Sequence, residues 1–320
     1  MVPGNPQGSV EGNGQEAFHE PVMVKEVLGV LEGARNGTIL DGTLGGGGHT
    51  EAMLSDWPRC RVVGVDRDPE AIKTARRRLE PFADRLRILN MRFDRAMDDA
   101  QIRKEGLDAA LLDLGVSSWQ LDSDQRGFAF RKALLLDMRM DPDGTTAADL
   151  LNQTSESELV RVLKDYGEVP RAHRLAREIV RRRETRPFES SDHLVAALAR
   201  VLGRNPQPRD MARVFQALRI EVNQELSALS AALPKIKDAL HGGGVLAVIS
   251  YHSLEDRIVK TAFREWSLDC SCPPGLPVCV CDREAEGAPV FGKPRRPSSA
   301  ETEGNPRARS ALLRAWRKAA

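Results

Sequence analysis

Thr38-Ile-Leu-Asp41 runs into Gly42-Thr-Leu-Gly-Gly-Gly-Gly48 and then His49-Thr50, and the fold reads outward from this stretch. A short apolar strand ends in a carboxylate. Five glycines follow between Gly42 and Gly48, and a helical pattern starts at about His49. Glycine is the residue for a turn with positive φ and for a backbone that a ligand approaches closely. A mere tight turn is the competing reading, and the flanking pattern argues against it. Val62-Val-Gly-Val65 ends in Asp66, which completes a strand-loop-helix-strand unit. Upstream, Val22, Val24, Val27, Leu28 and Leu31 form a helical stripe that opens at Pro21 and closes near Gly33. Downstream, Pro69 to Leu79 reads as a helix with proline in its first turn, and Leu86-Arg-Ile-Leu89 as a strand. Leu107 to Leu114 is almost unbroken apolar sequence apart from Asp108 and Asp113, as expected of a parallel strand covered on both faces.

From about Ser118 to Arg213 the strand pattern disappears. Helical stretches take its place at Ala147 to Leu151, Glu156 to Tyr166, Arg171 to Arg183 and Ser191 to Leu202. A long helix from about Met211 to His241, broken near Pro234, leads to another strand at Gly244 to Tyr251. From Cys270 onward, proline, glycine and arginine predict mostly loop, with a short last segment at Ser310 to Arg317. The expectation is an α/β, Rossmann-like fold with an inserted all-helical domain. Residues 1–17 form a disordered tail, 18–117 the first part of the main domain, 118–213 the insertion, and 214–320 the second part with a basic end.

With 41% hydrophobic and 29% charged residues over 320 positions, the chain can bury a main core and a second module. No apolar run reaches the roughly 20 residues of a membrane span, and the start lacks a secretory pattern, so a cytoplasmic protein is expected. Net charge is +1, which by itself indicates no polyanionic partner. Charge is concentrated locally instead. Arg171 to Arg186 holds seven arginines against Glu178 and Glu184, and Lys293 to Lys318 eight basic residues against Glu301 and Glu303. Both are candidate phosphate contacts, with solvated surface as the bland alternative.

The glycine stretch narrows the nucleotide. A dinucleotide fingerprint read from Gly45 and Gly47 requires glycine at position 50, where Thr50 stands. Asp41-x-Thr43-x-Gly45-x-Gly47 is instead similar to the methyltransferase pattern that approaches S-adenosylmethionine. Asp66, closing the next strand, can accept both ribose hydroxyls. It could also cap the next helix, a task Asp68 suits better. A nicotinamide dehydrogenase and a non-catalytic RNA-binding assembly factor are the alternatives.

Further motifs accumulate along the chain: Asp113-Leu-Gly-Val-Ser-Ser118, Gln120-Leu-Asp, Arg126-Gly-Phe, Leu136-Asp-Met-Arg-Met-Asp141, Phe215-Gln-Ala-Leu-Arg-Ile220, Val222-Asn-Gln-Glu-Leu226, Ile249-Ser-Tyr-His-Ser-Leu-Glu-Asp-Arg257 and Asn305-Pro-Arg-Ala-Arg-Ser310. Over about residues 19 to 316 the chain resembles the RsmH (MraW) family, the cytosine-N4 methyltransferases of bacterial 16S ribosomal RNA. The resemblance implies a class I fold and methyl transfer from S-adenosylmethionine to N4 of one cytidine in the decoding region, with the small ribosomal subunit as partner. It places Gly47, Gly48 and His49 on the cofactor, Asp66 on its ribose and Phe93 near its adenine. Asp113 and Gln120 stand at the mouth of the site, and the helical domain meets the RNA.

An exocyclic amine is a weak nucleophile because its lone pair is delocalised into the ring. A carboxylate that accepts its protons localises that pair and orients the nitrogen. Asp113, at the end of a central strand, is the leading catalytic candidate, with Ser117 second and Ser118 behind it. Many amino-methyltransferases follow this carboxylate or amide with Pro-Pro and an aromatic. Here Leu114-Gly-Val takes that place, so Trp119, Phe128, Phe130 and Tyr251 are the candidates to stack on a flipped base. His252 is a candidate substrate contact or a structural hydrogen-bonder. Cys270, Cys272, Cys279 and Cys281 form two C-x-C pairs able to present four thiolates to a structural zinc ion, with free thiols as the alternative.

Overall fold

The computed structural model describes residues 21–115, 127, 134–272 and 281–320. The expected tail at 1–17 lies outside them. The chain runs through α1 (Val24–Leu31), β1 (Thr38–Asp41), α2 (Gly48–Asp56), β2 (Arg61–Asp66), α3 (Pro69–Arg78), β3 (Leu86–Asn90), α4 (Ala100–Glu105) and β4 (Leu107–Asp113). Helices follow: α5 (Ala147–Gln153), α6 (Glu156–Arg161) with a π-helical turn (Val162–Tyr166), α7 (Ala172–Arg183), α8 (Ser191–Leu202), α9 (Pro208–Asn223) and α10 (Glu225–Ala239). The chain then returns to the sheet as β5 (Leu240–Ser250), followed by α11 (Ser253–Trp266), β6 (Gly287–Pro289), α12 (Ser299–Gly304) and β7 (Leu312–Lys318).

The strands lie in the order β3-β2-β1-β4-β5-β7-β6, parallel through β5, with β7 antiparallel to both neighbours. This is the expected Rossmann-like α/β sheet with helices between β4 and β5. Strand order reverses between β1 and β4, so their carboxyl ends open on the crevice where such sheets take ligands.

The pleat sorts each buried strand onto two faces, as period-2 alternation requires. Leu40, Val63, Ala110, Leu112, Leu246 and Val248 pack under α10 and α11, while Ile39, Val62, Ala109, Leu111, Ala247 and Ile249 pack under α1 and α2. Each fully buried leucine here contributes about 1.5–3 kcal/mol of transfer free energy. A third core belongs to the helices, from Leu136 through Leu163, Leu175 and Leu198 to Leu218. Asn223, at the end of α9, ties the 138–140 segment into that core: its side chain accepts from Met140 N (2.9 Å) and donates to Met138 O (2.7 Å).

Two expectations need correction. The helix from Met211 to His241 breaks at Gln224, which has φ 51°, and Pro234 lies inside α10. Met211, Val214, Phe215 and Leu218 of α9 serve the helical core, whereas Leu229, Leu233 and Ile236 of α10 serve the sheet. The chain must turn between those two duties, and the loss of one hydrogen bond at a proline is outweighed by continued packing on either side. The tail is also less loop-like than expected. The segment expected at Ser310 to Arg317 falls largely on β7 (Leu312–Lys318), whose Trp316 is fully buried against Trp266 (5.2 Å, edge-on) and donates to Ser267 Oγ at 3.0 Å. Arg314 falls between buried Leu313 and Ala315, and exposed Arg317 follows Trp316, so buried Ala315 and Trp316 are adjacent and blur the alternation.

Candidate functional site

The glycine stretch leaves β1 and turns beneath the end of β2. Gly45 (φ 51°) and Gly47 (φ 82°) hold left-handed conformations. A side chain on Gly47 would meet Leu79 at 2.8 Å, whereas nothing lies closer than 3.8 Å to one on Gly45 or 3.9 Å to one on Gly46. At the other end a side chain on Gly42 would meet Leu112 at 2.5 Å, so the loop packs tightly at both ends and borders open space in its middle. Asp41 points inward: it accepts from Thr43 N (3.2 Å) and Thr50 Oγ1 (2.7 Å), tying the loop to α2. Burial pushes its carboxyl above the ordinary value, against the Thr50 hydrogen bond and the His49 charge. Thr50, where a dinucleotide site needs glycine, is thus part of the loop's anchor.

Asp66 Oδ2 accepts from Gly45 N at 2.8 Å and Oδ1 from Asp68 N at 2.9 Å. It keeps a partly exposed edge, while its dense surroundings push its carboxyl up against those two backbone hydrogen bonds. The helix cap falls to Asp68, which accepts from Glu70 N. Phe93, partly buried, stands beside Gly42. The loop, Asp66 and Phe93 are brought together around the ends of β1, β2 and β3.

Asp113 completes the site from β4. Its N–H donates to Thr43 Oγ1 at 2.6 Å, fixing the strand end to the glycine loop. Its Oδ1 accepts from Tyr251 Oη at 2.8 Å, and Oδ2 lies 3.3 Å from His49 Nε2. The His49 contact has ion-pair distance but not hydrogen-bond alignment, and neither ring nitrogen has a hydrogen-bond partner among the described residues. The imidazole is 7% exposed. Burial opposes its charge, but the carboxylate of Asp113, with Asp41 and Glu301, outweighs burial and raises its pKa. Burial foremost, then the charge of Asp113, pushes the Tyr251 phenol far up.

Tyr251, read in sequence as a stacking candidate, therefore has its hydroxyl committed to Asp113. His252 caps α11, its Nδ1 accepting from Glu255 N at 3.4 Å, and Glu255 Oε2 accepts from Tyr251 N at 2.8 Å. Sequence reasoning missed Thr43 and Glu255 as supports of the site. The H-x-x-E spacing of a capping box was a signal available for the second. Ser117, Ser118, Trp119, Gln120, Phe128, Phe130 and Cys279 lie outside the described residues.

Away from this site, the Sγ atoms of Cys270, Cys272 and Cys281 lie within 4.8 Å of one another. Ser271 N donates to Cys281 Sγ (3.2 Å) and Cys272 N to Cys270 Sγ (3.4 Å). Much of the α7 charge is spoken for. Arg181 and Arg182 pair with Glu178, Arg183 donates to Leu151 O and Thr154 O, and Arg171 to Val201 O. Arg174, Arg186, Lys293, Arg296 and Arg309 are exposed, and no ion pair involves them among the described residues.

The sequence profile of the MraW methylase family matches residues 16–319. Ribosomal RNA small subunit methyltransferase H of Gemmatimonas aurantiaca is 48% identical over 305 residues, covering 94% of this chain and 96% of that protein. The protein of the same name from Myxococcus xanthus is 48% identical over 306 residues, covering 94% and 97%. Among solved structures, the N-methyltransferase NodS from Bradyrhizobium japonicum has a TM-score of 0.42 at 11% identity, over 93% of this chain and 94% of that one.

Proposed function

The chain belongs to the MraW methylase family, and on that premise we propose that it transfers a methyl group from S-adenosylmethionine to the exocyclic N4 of one cytidine in the decoding region of 16S ribosomal RNA. The observation that carries this reading is Asp113, a carboxylate at the reversal of strand order, set between the glycine loop and the end of β5. S-adenosylmethionine, when bound, supplies an electrophilic methyl group. The residues fit it: open space borders Gly45 and Gly46, Asp66 adjoins them with an exposed edge, and His49 has an unpartnered buried nitrogen. Gly47, Gly48, His49 and Phe93 would line that place with Gln120, and Asp66 would take the ribose hydroxyls.

Asp113 accepts hydrogen bonds from the cytosine amine, localises its lone pair, and can take up the proton that the nitrogen sheds as the new N–C bond forms. Most of its effect is orientation and preorganised charge. Ser117 is the second residue assigned to this step. The small ribosomal subunit is the partner, met through the helical region and the basic tail, with Arg174, Arg186, Lys293, Arg296 and Arg309 free to reach phosphates. Among the described residues no helix is long and apolar enough to cross a membrane, and an enzyme of ribosomal RNA works in the cytoplasm. Cys270, Cys272 and Cys281, with Cys279, hold a structural zinc ion. Three clustered thiols, two of which receive backbone N–H bonds, are the donor set zinc takes.

Mass mapping of small-subunit RNA from cells with and without this protein tests the reading. One cytidine should lose a methyl group when the protein is absent, and an unchanged methylation map refutes the proposal.

A further inference from the structure

The carboxylate of Asp113 is flanked on both oxygens by side chains from different elements: Tyr251 after β5 donates to Oδ1, and His49 of α2 lies 3.3 Å from Oδ2. An ionised carboxylate has about four lone-pair sites. One is occupied by the Tyr251 hydroxyl as donor, the His49 imidazole stands 3.3 Å from the other oxygen without hydrogen-bond alignment, and the side chain remains 21% exposed. The remaining sites face whatever enters the crevice. Tyr251 is itself fixed, because its backbone N–H donates to buried Glu255 and its ring packs over Gly115, where a side chain would come within 3.3 Å of it. Gly115 has φ 100°, so the turn leaving β4 is shaped to this ring. Register explains the meeting: Asp113 pairs with Ile249, and Tyr251 lies two residues further along the same strand direction.

Resting on the proposed methyl transfer, we infer that Tyr251 is a positioning residue, whose hydroxyl fixes the plane of the Asp113 carboxylate so that its free lone pairs accept from an exocyclic amine. A base that presents a carbonyl at that place meets lone pair against lone pair and is rejected. Cytosine is taken and uracil is not. The tyrosine touches no reacting atom, and its contribution passes entirely through Asp113.

A double-variant cycle tests this, because two residues acting through one contact are non-additive. Single-turnover methyl transfer to small-subunit particles is measured for the intact chain, Tyr251→Phe, Asp113→Ala and both together, with cofactor titration of each. Phenylalanine keeps the ring over Gly115 and removes only the hydroxyl. Tyr251→Phe is expected to slow transfer on the order of 10-fold, the loss of one hydrogen bond to a charged group, with little change in cofactor affinity. In the Asp113→Ala background the same change should do almost nothing. Transfer at the intact rate in Tyr251→Phe, or an equal slowing with Asp113 already gone, overturns the inference.

A second measurement needs neither activity nor the phenylalanine variant. Tyr166 and Tyr251 are the two tyrosines of the chain, so fluorotyrosine labelling gives two fluorine resonances, and Tyr166→Phe assigns them. The Tyr251 resonance should move in Asp113→Ala, and one that stays in place overturns the contact. If the intact chain transfers no methyl while this resonance does move, the proposed function fails and the contact stands.

Discussion

Replacing Asp113 by alanine separates binding from chemistry, and the structure sets the size of each effect. The variant deprives the Tyr251 hydroxyl of its acceptor and takes away the carboxylate that lies 3.3 Å from His49 Nε2. A buried donor left unsatisfied costs about 1–3 kcal/mol, so the Tyr251 hydroxyl alone should cost about that much stability, out of a total of about 5–15, and the lost His49 pairing adds to it. The loss depends on pH with a definite sign. Asp113 raises the pKa of His49 above 6.5, so this stabilisation is complete below pH 6.5 and fades as pH rises through the folded value. The melting gap between the two proteins should narrow on the alkaline side. Chemistry should suffer more than cofactor binding, because the role proposed for Asp113 is to hold the amine in line mainly in the transition state. Loss of one such contact typically costs on the order of 100-fold or more in rate. The assay is single-turnover methyl transfer to small-subunit particles at a temperature where both proteins are folded, beside direct titration with S-adenosylhomocysteine. Asp113→Asn keeps an acceptor oxygen and should fall between. Transfer by Asp113→Ala at the intact rate would make this residue a turn or cofactor contact and return Ser117, Ser118 and His252 to consideration.

Asp66→Ala should weaken S-adenosylhomocysteine binding by about 1.5–3 kcal/mol, roughly 10- to 150-fold, as hydrogen bonds to a charged group are lost; calorimetry showing unchanged affinity, or tight binding of NAD, refutes the assignment. Glu178 is held down at about 2 by hydrogen bonds from Arg181, then Arg182, against the cost of burial. Its stabilisation is present above about pH 4.5 and lost as pH falls toward 2. Arg181 is 65% exposed, so Glu178→Gln should cost about 1 kcal/mol or less at neutral pH, and thermal melts that still differ as much at pH 2 contradict this. Neutralising Arg174, Arg186 and Arg309 together should flatten the salt dependence of RNA binding by about two to three in log-log slope; an unchanged slope makes them ordinary surface. Metal analysis of protein purified without chelator should return about one zinc per chain, and a Cys270→Ser, Cys281→Ser variant that retains it places the metal elsewhere.

The parts legible in sequence are those dictated by local physics. Leu107 to Asp113 had to be a covered parallel strand, because seven residues with so few polar groups have no solvent face. Asp68 followed by Pro69 carries its own helix start. The loop from Gly42 to Gly48 was legible as a turn of special geometry, and the structure gives Gly45 and Gly47 left-handed conformations and Gly42, Gly47 and Gly48 no room for a side chain. What was not legible depends on register. Asp113 and Tyr251 are 138 positions apart, and their hydrogen bond exists because β4 and β5 pair as they do. A one-residue slip would turn one of them to the opposite face.

Charge shows the same limit from another side, and with a consequence for function. Counting seven arginines between Arg171 and Arg186 treats them as equivalent, but a helix places Glu178 three and four residues from Arg181 and Arg182, and both pair with it. Arg183 and Arg171 satisfy backbone carbonyls that helix ends leave open. In the tail, Arg314 is bound to Asp256 and Lys318 to the carbonyls of Lys237, Asp238 and Leu240. Each of these would have to abandon an existing partner to meet a phosphate, so its net gain on RNA is small. The arginines and lysine without such partners are spread over α7, the segment after it and the tail. The proposed RNA contact through α7 and the tail would therefore rest on a few separated residues, and such spacing would be matched better by a folded RNA in a structured subunit than by a free single strand.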